Sequence, residues 1–189
     1  MADKIKASVM DAAKIKRVLY RLATEILERN RNLKTLVLIG IRTRGIYVAQ
    51  RIAKIIREME GVPLPIGVMD ITLYRDDFSE LESSHMVQKT VIPFPVAKKD
   101  VLLIDDVLFT GRTIRAAMDS LFDKGRPKTI QLLVLVDRGH RELPIRADYV
   151  GKVLPTSRRE RVQVNLKESD GKDEVLITEP AVPPLRRKS

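Results

Sequence analysis

The order of patterns along these 189 residues predicts an α/β protein with a mostly parallel central sheet flanked by helices. Three observations carry the prediction. Short, β-branched apolar runs alternate with segments whose apolar residues recur at helical spacing. The runs are continuous rather than alternating, as strands buried on both faces require. Two of them end in loops rich in glycine and hydroxyl or basic residues, where open α/β sheets bind ligands.

The elements follow in order. Ile15, Val18, Leu19, Leu22 and Ile26 share one helical face, with Asp11 placed to cap the first turn and Lys14, Arg17 and Arg21 on the outer face. Leu36-Val37-Leu38-Ile39 reads as a buried strand, Gly40 to Gly45 as a loop, and Ile46 to Met59 as a helix closed near Gly61 and Pro63. Ile66 to Leu73 reads as a strand. Residues 75–95 hold no sustained period and suggest a long mobile loop with a short hairpin. A strand over 101–104 precedes a helix over 113–123, which Gly125 and Pro127 stop. Ile130 to Val136 is another buried strand, and Tyr149 to Val153 a short run. Val162 to Leu166 and Glu174 to Ile177 alternate, joined by a turn at Ser169-Asp170-Gly171. A single domain over 1–179 with a loose tail over 180–189 fits this length.

Composition narrows the function. Apolar content of 44% indicates a globular chain, and no apolar run approaches the roughly 18 residues of a membrane span. MADKIKASVMDAAKIKR lacks a secretion signal's apolar core, so a cytoplasmic location is expected. Zero cysteines exclude thiolate ligands and thiol nucleophiles, and His85 and His140 are the only histidines, so no protein-built metal site is expected. The net charge of +10 favours polyanionic partners, while 4% aromatics argue against a stacking platform for single strands.

The densest chemistry lies in VLLIDDVLFTGRT, Val101 to Thr113. An apolar strand runs into Asp105 and Asp106, and Thr110-Gly111-Arg112-Thr113 then leads into a helix. Paired carboxylates suit sugar hydroxyls, and a helix start with glycine and threonines suits a phosphate. Each part alone is a common strand end or turn; the combined string points to a ligand site. Gly40-Ile41-Arg42-Thr43-Arg44-Gly45 stands at a second strand's end, with two arginines fit for a pyrophosphate. Ile46 and Tyr47 stand where a Walker A loop needs Lys and Ser/Thr.

The 101–113 string resembles the donor signature of type I phosphoribosyltransferases. The resemblance implies that Asp105 and Asp106 contact the ribose hydroxyls. It implies that Val107, Leu108, Phe109, Thr110, Gly111, Arg112 and Thr113 form the loop around the 5′-phosphate. It further implies pyrophosphate contacts from Arg42, Thr43, Arg44 and Gly45. Asp70-Ile71-Thr72-Leu73-Tyr74-Arg75-Asp76-Asp77 opens a loop of the kind that closes over the reacting centre, with Arg75 and His85 as pyrophosphate candidates. Purine-using members usually carry a carboxylate just before the Thr-Gly. Phe109 here favours a pyrimidine.

VDRGHRELPIRADYVGK, Val136 to Lys152, together with DITLYRDD and GIRTRG, resembles the bacterial pyrimidine-operon attenuation regulators, bifunctional proteins with uracil phosphoribosyltransferase activity. The resemblance spans about Met10 to Leu166. It implies the type I phosphoribosyltransferase fold, with residues 137–166 and the terminal segments forming a small hood. Uracil contacts fall near Arg138 and Val162. The substrates are uracil and 5-phosphoribosyl 1-pyrophosphate, the product is UMP, and Mg²⁺ is bound mainly through the substrate pyrophosphate. An operon leader RNA stem-loop is the second partner, met by a basic face of a homodimer or higher homo-oligomer; the candidates are Arg21, Arg29, His140, Arg141, Arg146 and Lys152. Tyr20 and Thr24 depart from the small hydroxyl residue and histidine common in RNA-regulating members. Two alternatives stay open: a uracil phosphoribosyltransferase without RNA regulation, and a UMP-sensing RNA-binding regulator with little catalysis.

Overall fold

A computed structural model of the chain describes residues 3–71 and 90–180. The elements, in order, are β1 (Lys4–Asp11), α1 (Ala12–Arg29), β2 (Leu36–Ile41), α2 (Gly45–Glu60), β3 (Ile66–Met69) and β4 (Asp100–Leu108). There follow α3 (Arg112–Phe122), β5 (Thr129–Asp137), β6 (Tyr149–Val153), β7 (Arg161–Asn165), α4 (Lys167–Asp170) and β8 (Glu174–Glu179). Five strands form a parallel sheet in the order β3-β2-β4-β5-β6, as the continuous apolar runs predict. The chain leaves β2 toward β3, then returns to β4 on the other side of β2. The sheet therefore reverses its winding between β2 and β4, a topological switch point.

Strand alternation divides the core. Leu36, Leu38, Leu102 and Ile104 face α1 and α2 with Ile15, Leu22, Ile52 and Ile56. Val37, Ile39, Val101 and Leu103 face the other side with Ile114, Ala117 and Leu121 of α3. Burial of this aliphatic surface on both faces is the main stabilising term, at about 1.5–3 kcal/mol for each fully buried large side chain. Asp11 caps α1 as expected, its carboxylate accepting from the Lys14 N–H at 2.7 Å. Gly61, in the left-handed region at φ 71°, ends α2 where the sequence places a stop.

A second, antiparallel sheet has the order β1-β8-β7. Its hairpin β7–β8 was legible from alternation, but the connection is a helical turn, α4, closed by Gly171 at φ 77°, in place of a tight turn. β1 is an addition. KIKASVMD buries only Met10, so it carries almost no inward pattern of its own and is defined by its pairing with β8. β4 also runs past the expected end at residue 104 to Leu108, taking both aspartates into the strand. β3 ends at Met69, short of Leu73. Most of the loop expected over 75–95, with Arg75 and His85, lies outside the described residues; within the remainder Val91 bridges Val68.

Candidate active site

Asp105 and Asp106 sit at the carboxyl end of β4, beside the switch point. Alternation places Asp105 on the face of Val101 and Leu103, and Asp106 on the α2 face with Leu102 and Ile104. Asp105 is buried, and its Oδ1 accepts the Asp106 N–H at 2.9 Å. Burial, and then the Asp106 charge beside it, push the Asp105 carboxyl well above the ordinary carboxylate range. Burial also raises Asp106, while the hydrogen bond with Asp105, and then Arg44, pull it back. The two carboxyls are bonded to each other and to the backbone N–H groups of Asp106 and Val107, and as acceptors they suit a ligand that brings hydroxyl groups to them.

The 40–45 loop is pressed against this pair by two glycines. A Cβ on Gly40 would lie 2.4 Å from Ile46 Cα, and one on Gly45 would lie 2.4 Å from the Ile104 carbonyl oxygen. Only a residue without Cβ lets α2 start directly over the end of β4. The Arg42–Thr43 peptide is cis. Arg42 and Arg44 are half-buried and Thr43 is exposed. The Arg44 Nε and Nη2 donate to the Asp170 carboxylate at 3.1 and 2.7 Å, which keeps that carboxyl far below its usual range. Neither α2 nor α3 has a side-chain bond from its N-cap residue; the Arg112 N–H at the start of α3 meets the Thr110 hydroxyl at 3.3 Å, and the positive dipole ends of both helices favour an anion.

The loop after β4 leans on the segment after β5. The Arg138 N–H donates to the Leu108 carbonyl at 3.1 Å, and those of Glu142 and Leu143 donate to the Thr110 carbonyl at 2.9 and 3.2 Å. Gly111, at φ 96°, lies beneath Leu143 and Ile145, and Arg112 pairs with Glu142 at 2.8 Å. Phe109 forms a wall: the Arg138 guanidinium stands 4.0 Å from its ring centroid, and the His140 ring meets its edge at 6.0 Å. Arg138 is buried and also donates to the Glu160 carbonyl at 2.6 Å, tying β5 to the start of β7, where half-buried Val162 pairs with Ile177.

The basic residues expected to face RNA divide into two groups. Arg21 donates to the Val150 and Gly151 carbonyls at 3.0 and 2.7 Å, and Arg29 pairs with Asp148 at 2.9 Å, so these two arginines join α1 to β6; Arg146, before β6, is exposed, and Lys152, within it, is half-buried. His140 and Arg141 lie in the turn after β5. His140 Nε2 is 2.5 Å from the Thr156 carbonyl. Arg141 donates to the carbonyls of Phe109 and Ile145 at 2.7 and 2.9 Å and pairs with Asp137. Sequence reasoning passed over Asp137, although it ends an apolar strand as Asp105 does. It gave no site role to Glu168, Asp170 and Asp173, whose signal was an acidic cluster with arginines seven apart at the start of α2 and within it.

Residues 7–168 match the family described as the phosphoribosyl transferase domain. The chain is 56% identical to the bifunctional protein PyrR of Pelotomaculum thermopropionicum, over 93% of this chain and 97% of that protein. It is 55% identical to the bifunctional protein PyrR of Deinococcus radiodurans, over 93% and 96%. Among solved structures, a hypoxanthine phosphoribosyltransferase from Staphylococcus aureus superposes with a TM-score of 0.69 at 21% identity, covering 94% of each chain. One from Trypanosoma cruzi gives 0.72 at 17%, covering 95% of this chain and 94% of that one. These two share the fold, with its central parallel sheet flanked by helices. The chain belongs to the phosphoribosyltransferase family and, within it, to the bifunctional PyrR proteins.

Proposed function

We propose that this protein makes UMP from uracil and 5-phosphoribosyl 1-pyrophosphate, and binds operon leader RNA more tightly when UMP fills the same site. The observation that carries the reading is the convergence at Gly45. It sets the uncapped start of α2 over the end of β4, beside the paired aspartates and one loop away from the uncapped start of α3. Asp105 and Asp106 accept the ribose hydroxyls, the loop from Val107 to Thr113 holds the 5′-phosphate, and Arg42 to Gly45 hold the pyrophosphate. Uracil N1 bonds to the donor's anomeric carbon as the bond to pyrophosphate breaks. The pyrophosphate leaves with the electron pair, and uracil gives up its N1 proton.

In this reading a Mg²⁺ would be carried mainly by the substrate's own pyrophosphate oxygens. When bound, that ion supplies charge balance for the departing pyrophosphate. The chain's own part is positioning and electrostatics. Phe109, braced by Arg138, presents an apolar wall that cannot accept the hydrogen bonds of a purine ring. A pyrimidine is favoured accordingly.

The basic surface of α1 and β6 suits a phosphate backbone, and the hydrogen bonds from residues 138–143 onto the 108–110 loop connect bound nucleotide mechanically to the other basic group, His140 and Arg141. A homodimer would present two such faces. The expected outcome is UMP formation from uracil, with orotate and hypoxanthine competing poorly. Leader RNA binding should tighten with UMP over a background that weakens as salt rises. Turnover of hypoxanthine in preference to uracil would overturn the catalytic reading. Weak binding indifferent to UMP would reduce the protein to a uracil phosphoribosyltransferase, and UMP-dependent binding without turnover would make it a sensor.

A further inference from the structure

The turn between β7 and β8 is fastened to α2 by an ordered set of charge pairs. Arg51 forks onto Glu168, with Nε to Oε1 at 2.8 Å, and onto Asp173, with Nη1 to Oδ2 at 2.9 Å and Nη2 to Oδ1 at 2.7 Å. About two turns further toward the amino end, at the residue that precedes α2, Arg44 meets Asp170 through Nε and Nη2. Asp170 is itself fixed by the Leu166 N–H at 2.9 Å and the Ser169 hydroxyl at 2.6 Å. Its carboxylate is therefore a built anchor rather than a solvated acid.

Arg44 is the last residue before the glycine that packs on β4, and its charge acts on Asp106. Left alone, a guanidinium next to that buried carboxylate would be drawn onto it, closing the space between the two loops. Asp170 occupies the Nε–Nη2 edge and leaves the Nη1 side for another acceptor. We propose that Asp170 is a positioning residue for the pyrophosphate subsite: it holds the Arg44 guanidinium clear of Asp106 and oriented toward the incoming anion. The inference rests on reading residues 42–45 as the pyrophosphate loop. It assigns a role in that reaction to a segment that otherwise resembles a hairpin connection.

The test is calorimetric titration of the full chain with magnesium pyrophosphate and, separately, with UMP, which lacks the pyrophosphate. In Asp170→Asn the dissociation constant for pyrophosphate rises about tenfold, equivalent to about 1.4 kcal/mol, while that for UMP stays within about twofold. Glu168→Gln loosens the Arg51 fork alone and leaves both constants near the wild type. Ser169→Ala removes one of the bonds that fix Asp170 and weakens pyrophosphate in the same sense but less, which keeps the test decisive if Asp170→Asn folds poorly. Equal pyrophosphate affinity in wild type and Asp170→Asn, or parallel loss of pyrophosphate and UMP, overturns the positioning role. Absence of pyrophosphate binding in the wild type overturns the loop assignment itself, a distinct result.

Discussion

The two ends of β4 carry the same residue type in opposite circumstances. At the amino end, Asp100 accepts hydrogen bonds from the hydroxyls of Thr35 at 2.6 Å and Thr129 at 2.8 Å, with Lys128 at 3.8 Å. The Thr35 bond, aided by Thr129 and Lys128, holds its carboxyl below the ordinary range. At the carboxyl end, Asp105 and Asp106 are crowded together, and burial holds both above it. Asp100 joins the starts of β2, β4 and β5 and is complete in itself. The distal pair is incomplete, and the helices starting beside it lack side-chain caps, whereas α1, elsewhere in the molecule, has its own. One end of the strand is stabilised by its own contacts, and the other carries two carboxyls whose ionisation burial opposes.

Breaking the carboxyl end should produce the largest effect. Asp105→Asn with Asp106→Asn lowers UMP synthesis by about 10²–10³-fold, measured as steady-state kcat/KM, if the pair makes the proposed ribose contacts. The same variant should melt about 2–4 °C higher at neutral pH, since two carboxyls whose ionisation burial opposes are replaced by neutral amides. The pH dependence follows from the direction of the shifts. A carboxyl raised in the folded state gives its full stability below its unfolded pKa and loses it as pH rises through the folded value. Acidification therefore closes the stability gap between wild type and the double variant.

A change to the joint between the loops comes next. Gly45→Ala forces a Cβ onto the Ile104 carbonyl and should cost about 1–3 kcal/mol of stability, read from urea unfolding, together with most of the affinity for pyrophosphate. The smallest effect belongs to the amino end. Asp100→Asn costs about 1 kcal/mol and leaves turnover within about twofold. Its sign is opposite. A depressed carboxyl stabilises above its unfolded pKa and loses that contribution as pH falls through the folded value, so wild type and Asp100→Asn converge in acid because the wild type weakens. Opposite pH slopes for the two variants would sharpen the contrast between the ends; equal slopes would break it.

The sheet and the flanking helices were legible because they are written in local periodicity: Leu36 to Ile39, Ile130 to Val136, and the Ile15–Ile26 stripe need no distant partner to be recognised. What escaped depends on contacts far apart in sequence. Lys4–Asp11 becomes a strand through β8, more than 160 residues away, and its own side chains point mostly to solvent. β4 reads as ending at Ile104 because two charges follow, yet pairing with β5 through Leu108 carries them into the strand. The candidate site divides in the same way. Asp105, Asp106 and Gly111 announce themselves as a string, whereas the use of Arg44 by Asp170 and of Arg138 by Phe109 appears only when loops from different strands meet. Arg141, read from sequence as a basic surface residue, donates to Gly139 and Ile145 in its own turn and to Phe109 in the loop after β4.

The central claim is that the incomplete end of the sheet is a nucleotide site whose phosphate lies at the start of α3. Backbone amide shift mapping of the full chain on addition of UMP tests it most directly. The account predicts the largest changes at Gly111, Thr113 and Ile114, smaller ones at Asp105 and Asp106, and none at Ala13 and Lys14, where α1 already has its cap. Shifts centred on α1, or none near residues 110–114 at saturating UMP, would contradict it.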